Sequence, residues 1–478
     1  MRTSPPAPAP ATGPAAPRSR VAALRRRMRR LVADRGGNVL IIMGFAMIPL
    51  TTAVGMSIDY ARAARLQTKM NSAADAGSLA AVTTPMMSQT TDKAALAAAN
   101  MFISQVTGLT GMSWLTAVKA NPTIQQTLTT YTLDYGAFKV VVTDINVTGL
   151  NRTATVSYDA LSYNAFGGIL GMRNAGIGGS ATSSAKTAPN IDFYILLDTS
   201  GSMALPATSA GLTLLTSKTN GCAFACHSSN DATAIDATGK SNDYYGVAKS
   251  YNISLRIDEA KTAIQNMMTQ ATTTSANNKA AYRAGLSTFA AADTRSNNSF
   301  QTTQQMTATL SKVKTAAAGA STSLYYTNSC PTSNFCNNDQ DTGMSDAFSR
   351  MNNLMPLPGN GSNLPLDKPQ EVMFIITDGM RDENRPNGRP EVGIDTSWCD
   401  TVKARGIRIG ILYTEYLPES LSDSWSKTNV LPYLGNVAPA LQACASTGLY
   451  YKVTTDGDIT AALNALFQQA VATAHITN

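Results

Sequence analysis

Ile191-Asp-Phe-Tyr-Ile-Leu-Leu-Asp-Thr-Ser-Gly-Ser-Met203 runs from an apolar segment straight into a cluster of small oxygen-bearing side chains. The uncharged run 193–197 suits a central strand of a parallel sheet, buried on both faces. Ligands of open α/β sheets sit at the carboxyl ends of such strands. There Asp198, Ser200 and Ser202 follow at a spacing of two, so one tight loop turns a carboxylate and two hydroxyls toward one point. That is the hard-oxygen chemistry of Mg²⁺, Mn²⁺ or Ca²⁺. The competing explanation for Asp-Thr-Ser-Gly-Ser is a bare turn and helix cap. Against it stands a second strand-to-acid junction downstream, Val372-Met-Phe-Ile-Ile-Thr-Asp-Gly379.

Around these two junctions, strand and helix patterns alternate. Helices are expected at 256–270, 306–318, 398–405, 437–445 and 459–472, and strands at 282–289, 372–377, 407–413 and 450–453. The alternation predicts a doubly wound parallel sheet over residues 189–478. Two insertions, at about 203–247 and 321–341, interrupt it. Both lie beside segments of the oxygen cluster, where inserted loops shape what a ligand site accepts.

Asp-x-Ser-x-Ser at the end of a buried strand resembles the signature of von Willebrand factor A (VWA) domains. The resemblance implies a Rossmann-like α/β fold and a metal-ion-dependent adhesion site, to which a distant Thr and a distant Asp also contribute. Val372 to Gly379 matches the family's later strand and makes Asp378 the second carboxylate. The Thr is assigned to Thr342, in Asp341-Thr-Gly-Met-Ser-Asp-Ala347, ahead of an amphipathic run that ends at Met355, although the wider Gly-Gly-Thr form of that loop is absent. Carried over residue by residue, Asp198, Ser200, Ser202, Thr342 and Asp378 hold Mg²⁺, or Mn²⁺ or Ca²⁺, directly or through water. One coordination position is left for a carboxylate from a protein partner.

The other end of the chain is of a different character. Residues 1–37 hold nine Arg against one acid, Asp34, a charge of +8 against a total of +7, so the remainder of the chain carries −1. The basic character belongs to the tail, and a nucleic-acid footprint on the folded part is not expected. Residues 1–17 are Pro, Ala, Thr and Ser with almost no large apolar side chain, and the basic segment 1–37 is read as a disordered cytoplasmic tail. Between Arg35 and Asp59 lie 23 uncharged residues, enough at ~1.5 Å per residue to cross a hydrocarbon core of ~30 Å. We read 38–58 as a transmembrane helix, kinked at Pro49, with its Arg-rich flank in the cytoplasm. A cleaved signal peptide is the alternative, but no clear small-residue cleavage site follows. The Ala-rich stretch to Val82 continues the helix out of the membrane.

This arrangement is similar to the amino-terminal segment of the Tad (Flp) pilus-assembly proteins, the TadE/TadG-like group. The resemblance rests on Arg35-Gly-Gly-Asn-Val, the apolar run, the exit Asp59-Tyr-Ala-Arg, and Leu66-Gln-Thr-Lys-Met-Asn-Ser-Ala-Ala-Asp-Ala-Gly-Ser-Leu-Ala80. Pilin-like members carry a Glu five residues into the mature apolar segment; here that place is Ile42, which argues against processing by a prepilin peptidase. Residues 59–188 are expected to form a pilin-like helix and small sheet, with a helix at 94–105 and alternating strands at Phe138-Lys-Val-Val-Val-Thr-Asp144 and Thr153-Ala-Thr-Val-Ser-Tyr-Asp159.

All six cysteines, Cys222, Cys226, Cys330, Cys336, Cys399 and Cys444, follow the apolar segment, which suits an oxidising compartment. Six cysteines allow 15 pairings; nearness suggests Cys222 with Cys226 and Cys330 with Cys336, leaving Cys399 with Cys444. Cys222-Ala-Phe-Ala-Cys226-His227 also brings haem or zinc to mind, but neither has a good second ligand. With two histidines, His227 and His475, a Ser-His-Asp or hydrolytic metal site has almost no raw material, and no enzyme is expected. The two ends together suggest a bacterial envelope protein, held in the inner membrane with its C-terminal domain periplasmic, or exported to the pilus or cell surface. Its partners would be the membrane and pilus or pilus-assembly components. The alternative is a pilus-independent surface adhesin or sensor that binds a surface ligand.

Overall fold

The computed structural model describes residues 20–33, 37–107, 123–127, 130–134, 138–145, 149–223, 234–324, 330, 333–337, 340–383, 392–416, 420–421 and 424–474. Helix α1 (Arg20–Ala33) lies in the tail that was expected to be unstructured; its Ala, Leu and Arg are strong helix formers. Helix α2 (Gly37–Ala81) is a single run of 45 residues with Pro49 inside it. The apolar segment and the Ala-rich stretch are therefore one rod. Residues 39–51 are exposed on every side, Leu40 to the extent of 77% and Phe45 of 74%. Thr51, Thr52 and Ser57 turn their hydroxyls back onto carbonyls of the preceding turn, so these polar groups are satisfied within the helix.

After the short turn α3 (Thr84–Met87), α4 (Thr91–Thr107) packs against the second half of α2. Both helices lie on an antiparallel sheet of β1 (Thr123–Gln126), β2 (Thr130–Asp134), β3 (Phe138–Ile145), β4 (Asn151–Tyr163) and β5 (Asn174–Lys186), paired in chain order. Strand β4 alternates in burial along its length, and its inward residues Ala154, Val156 and Tyr158 meet Met70, Ala74 and Phe102 in one core. Buried Arg152 donates to the carbonyls of Met86 and Gln89, tying the α3 turn to the sheet.

The second sheet begins four residues after β5, with β6 (Ile191–Asp198). A small hairpin, β7 (Ala234–Ile235) and β8 (Ser241–Asn242), and the helices α5 (Ser209–Lys218) and α6 (Tyr244–Ser250) fill the region expected to be an insertion. Then follow α7 (Arg256–Asn278), β9 (Tyr282–Asp293), β10 (Asn298–Thr307), α8 (Leu310–Gly319), α9 (Met344–Leu354) and β11 (Gln370–Thr377). The chain closes with α10 (Thr396–Ala404), β12 (Arg408–Thr414), α11 (Ser424–Asn429), α12 (Leu431–Cys444), β13 (Tyr450–Val453) and α13 (Ile459–Thr473). The strand order is β10-β9-β6-β11-β12-β13, parallel except for β10 at one edge.

Strand β6 is buried along its whole length because both faces are covered. Phe193, Ile195 and Leu197 point into a core shared with α7, α8 and α13, whereas Tyr194 and Leu196 point into one shared with α9, α10 and α12. The mixed α/β architecture with a parallel sheet is thus as expected, with one difference. The helix expected from residue 306 starts at Leu310, and the residues before it form β10, an edge strand whose Gln301, Thr303 and Gln305 face outward.

Disulfides join Cys330 to Cys336 and Cys399 to Cys444, the latter linking α10 to α12. Cys226, and with it the expected pairing with Cys222, lies outside the described residues, as do residues 1–17, His227 and His475.

Candidate metal centre

Parallel pairing of Leu197 with Ile376 brings the ends of β6 and β11 side by side. The next residues, Asp198 and Thr377, are hydrogen-bonded, with Thr377 Oγ1 donating to Asp198 Oδ2 at 2.6 Å. The other carboxylate oxygen accepts the Ser200 N–H at 2.9 Å, which folds the loop back over the strand end. A 3₁₀ turn at Gly201–Ala204 then brings Ser202 Oγ to 3.0 Å from Ser200 Oγ. Asp198 and Ser200 are completely buried.

On the neighbouring strand, Thr377 Oγ1 also accepts the Gly379 N–H at 2.9 Å, closing the turn that presents Asp378. Gly379 has φ +82°, and a Cβ there would stand 2.6 Å from Val437 Cγ1, so this turn requires glycine. Asp378 is fully buried and its Oδ2 has no hydrogen-bond partner. Facing it at 3.8 Å is Arg256 Nη1, itself without a hydrogen bond, while Arg256 Nη2 donates to the Glu415 carbonyl and the guanidinium lies 5.4 Å from the centre of the Tyr416 ring.

The electrostatics follow from that burial. Loss of water, then the neighbouring Asp378 charge, pushes Asp198 up to about 7, against the Ser200 and Thr377 hydrogen bonds. Burial likewise raises Asp378, against the pull of Arg256, and lowers Arg256, against the pull of Asp378. Two buried carboxylates therefore stand at adjacent strand ends, and the one guanidinium near them faces Asp378 without a hydrogen bond to it. The unpartnered Asp378 oxygen and the two hydroxyls form an all-oxygen donor set suited to a hard divalent cation. Among the described residues no group of three or more His, Cys, Asp and Glu is placed to hold a metal ion.

Asp198, Ser200, Ser202 and Asp378 are thus gathered at the carboxyl ends of the two central strands. Thr342 stands differently. It is buried just before α9 and forms an antiparallel bridge with Asp382, N to O at 3.2 and 3.3 Å in the two directions. Ser345 reinforces this seam by donating to Glu383 from its N–H at 2.7 Å and its hydroxyl at 2.6 Å. The Thr342 loop is therefore laced to the segment after Asp378, but its hydroxyl makes no hydrogen bond to the four gathered residues. Thr377 and Arg256 belong to the group and were not singled out from sequence. The clue to Thr377 was its place beside Asp378; that to Arg256 was a cation in the first turn of a helix, where the dipole disfavours it unless an acid lies near.

Residues 37–84 match a family model described as Putative Flp pilus-assembly TadE/G-like. The matched segment takes in all of α2, and from Val39 to Ala81 α2 is long and apolar enough to cross a membrane, with a mean hydropathy of 2.1 in its most apolar stretch. Among solved structures, the chain is similar to the pilus adhesin SpaC from Lactobacillus rhamnosus GG in its open conformation, at 9% identity and a TM-score of 0.33, over 74% of this chain and 40% of that one. It is also similar to the PilB minor pilin from Streptococcus sanguinis, at 11% identity and a TM-score of 0.30, over 70% of this chain and 77% of that one. The chain thus spans less than half of the adhesin's length. No curated protein matches it.

Proposed function

We propose that this chain is a non-enzymatic envelope protein of the Tad/Flp pilus type, whose residues 189–478 form a VWA domain that binds a protein partner through a divalent cation. The observation that carries this reading is the group at the ends of β6 and β11, where Asp198, Ser200 and Ser202 meet Asp378 with its unpartnered buried oxygen. These four residues, with Thr342 completing the set directly or through water, would hold Mg²⁺, Mn²⁺ or Ca²⁺. When bound, the cation supplies an electrophilic contact for a partner carboxylate. Thr377 positions Asp198, Gly379 permits the turn that presents Asp378, and Arg256 limits the repulsion between the two acids. The match of residues 37–84 to the Tad model supports the pilus half of the reading. The Arg-rich flank of α2 and the two disulfides support a cytoplasmic amino end and an extracytoplasmic remainder, in the inner membrane or on the pilus.

A ligand that binds only the folded form stabilises it by mass action. Millimolar Mg²⁺ or Mn²⁺ should therefore raise the melting temperature of the detergent-solubilised chain. The Asp198→Ala variant should keep a cooperative transition and lose the metal response. A wild-type melting temperature indifferent to all three cations would end the metal-dependent reading.

A further inference from the structure

The turn between β4 and β5 carries a group of apolar side chains in the open: Phe166, Leu170 and Met172 are about half exposed, and Ile169 is exposed to the extent of 83%. Its position is fixed. Asp59, the first charged residue after the apolar run of α2, is buried, and its carboxylate accepts the N–H groups of Ala165 at 2.9 Å, Phe166 at 2.9 Å and Gly167 at 2.7 Å. One helical turn earlier, Gly55 lies so close to Phe166 that a Cβ on it would stand 2.6 Å from the Phe166 Cβ. At ~1.5 Å per residue, Asp59 is ~6 Å beyond Gly55 along the rod, so the loop is held at the level where α2 passes from its apolar half to its charged half.

Around that level the helix itself exposes Val54, Met56 and Ile58. Contiguous apolar surface of this kind marks a contact with a membrane or another protein. Here it is continuous with a helix face that, on the reading of α2 as a membrane span, hydrocarbon must cover. Tyr60 and Tyr163, exposed to the extent of 77% and 54%, flank the same level, where amphipathic rings prefer the bilayer interface. The geometry points to a second membrane contact: loop 166–172 dips into the leaflet from which α2 emerges, with lipid as its partner. The inference rests on that span reading. Its consequence is that the five-stranded sheet sits on the bilayer at two points, which fixes its tilt, where a single helix would leave it free to swing.

The test uses the full-length chain reconstituted into vesicles of phosphatidylethanolamine and phosphatidylglycerol, with and without lipids that carry a quenching doxyl group near the headgroup or deeper along the acyl chain. Three tryptophan variants are compared with the wild type, whose native tryptophans supply the background: Ile169→Trp in the loop, Phe45→Trp in the helix and Leu357→Trp in the second half of the chain. The inference expects a blue-shifted Ile169→Trp emission that the shallow doxyl lipid quenches, with Leu357→Trp unshifted and unquenched. If Phe45→Trp reports lipid while Ile169→Trp is unquenched, the loop contact is overturned and the span stands; a blue-shifted but unquenched Ile169→Trp identifies a protein neighbour as the cover. If doxyl lipids at every depth leave both positions unquenched, the span reading fails and takes the inference with it.

Discussion

Asp198 and Asp378 are held where a carboxylate is costly, and that cost is measurable. Burial and the charge of Asp378 bring Asp198 to about 7, and burial raises Asp378 as well. Between the ordinary aspartate range and that value, the folded chain holds protons that the unfolded chain has released. Stability of the cation-free protein should therefore fall as pH rises from about 4 to about 7 and level off above, because the unfolded state binds fewer protons across the window. A divalent cation needs the deprotonated acids, so its stabilising effect should grow over the same window. Urea denaturation in EDTA and in Mg²⁺ at several pH values tests both signs, and a cation-free stability that rises with pH would contradict them. Arg256→Met should cost about 3–5 kcal/mol without cation, the usual loss when one partner of a buried charge pair is removed. The loss should be smaller in Mg²⁺, which would take over part of the neutralisation. At this scale the four residues of the two strand-to-acid junctions were legible, because a carboxylate and hydroxyls at strand ends have a local pattern. Thr377 and Arg256 act through contacts 179 and 122 positions away from Asp198 and Asp378 respectively, and no local pattern records such a meeting.

Elements that carry a strong period or a breaker could be read in advance, and those without could not. Strand β6 announced itself by an unbroken apolar run that helices now cover on both sides. Strand β10 did not, since Gln301, Thr302, Gln304 and Gln305 show no apolar alternation and the strand is specified by pairing with β9 at the sheet edge. Helix α1 was missed because composition argued for disorder while individual propensities favoured helix. The helices α10 and α12 share a buried core and a covalent tie, Cys399 to Cys444, across 45 positions. Replacing both cysteines by Ala should lower stability by about 2–4 kcal/mol, as expected for removal of a cross-link that closes a loop of this order. The measurement is equilibrium denaturation of the double variant beside wild type under non-reducing conditions; an unchanged midpoint would mean that packing alone holds the two helices.

At the scale of the whole molecule, the chain builds two sheets with separate cores, one around Met70, Phe102 and Val156, the other on both faces of β6. Four residues connect them, and Asn190 is bound on both sides, donating its N–H to the Gly361 carbonyl at 2.7 Å and accepting the Ala281 N–H on its side chain at 2.7 Å. Separate cores mean that damage to one half should leave the chemistry of the other intact. Residues 39–54 can therefore be exchanged for an unrelated apolar helix, keeping Gly55, Asp59 and everything after them. The exchanged chain should retain the Mg²⁺-dependent rise in melting temperature, since α2 packs in the first core and β6 in the second. It should lose association with pili, which on our reading depends on the small-residue surface that α2 offers to other helices. Asp378→Ala should do the reverse, remaining in the envelope but losing the metal response and partner capture. Both variants are followed by melting with and without Mg²⁺ and by fractionation of intact and sheared cells. Should the exchanged helix support pilus association as well as the native one, α2 is an anchor only, and the link to the pilus must lie in the half of the chain that carries Asp198.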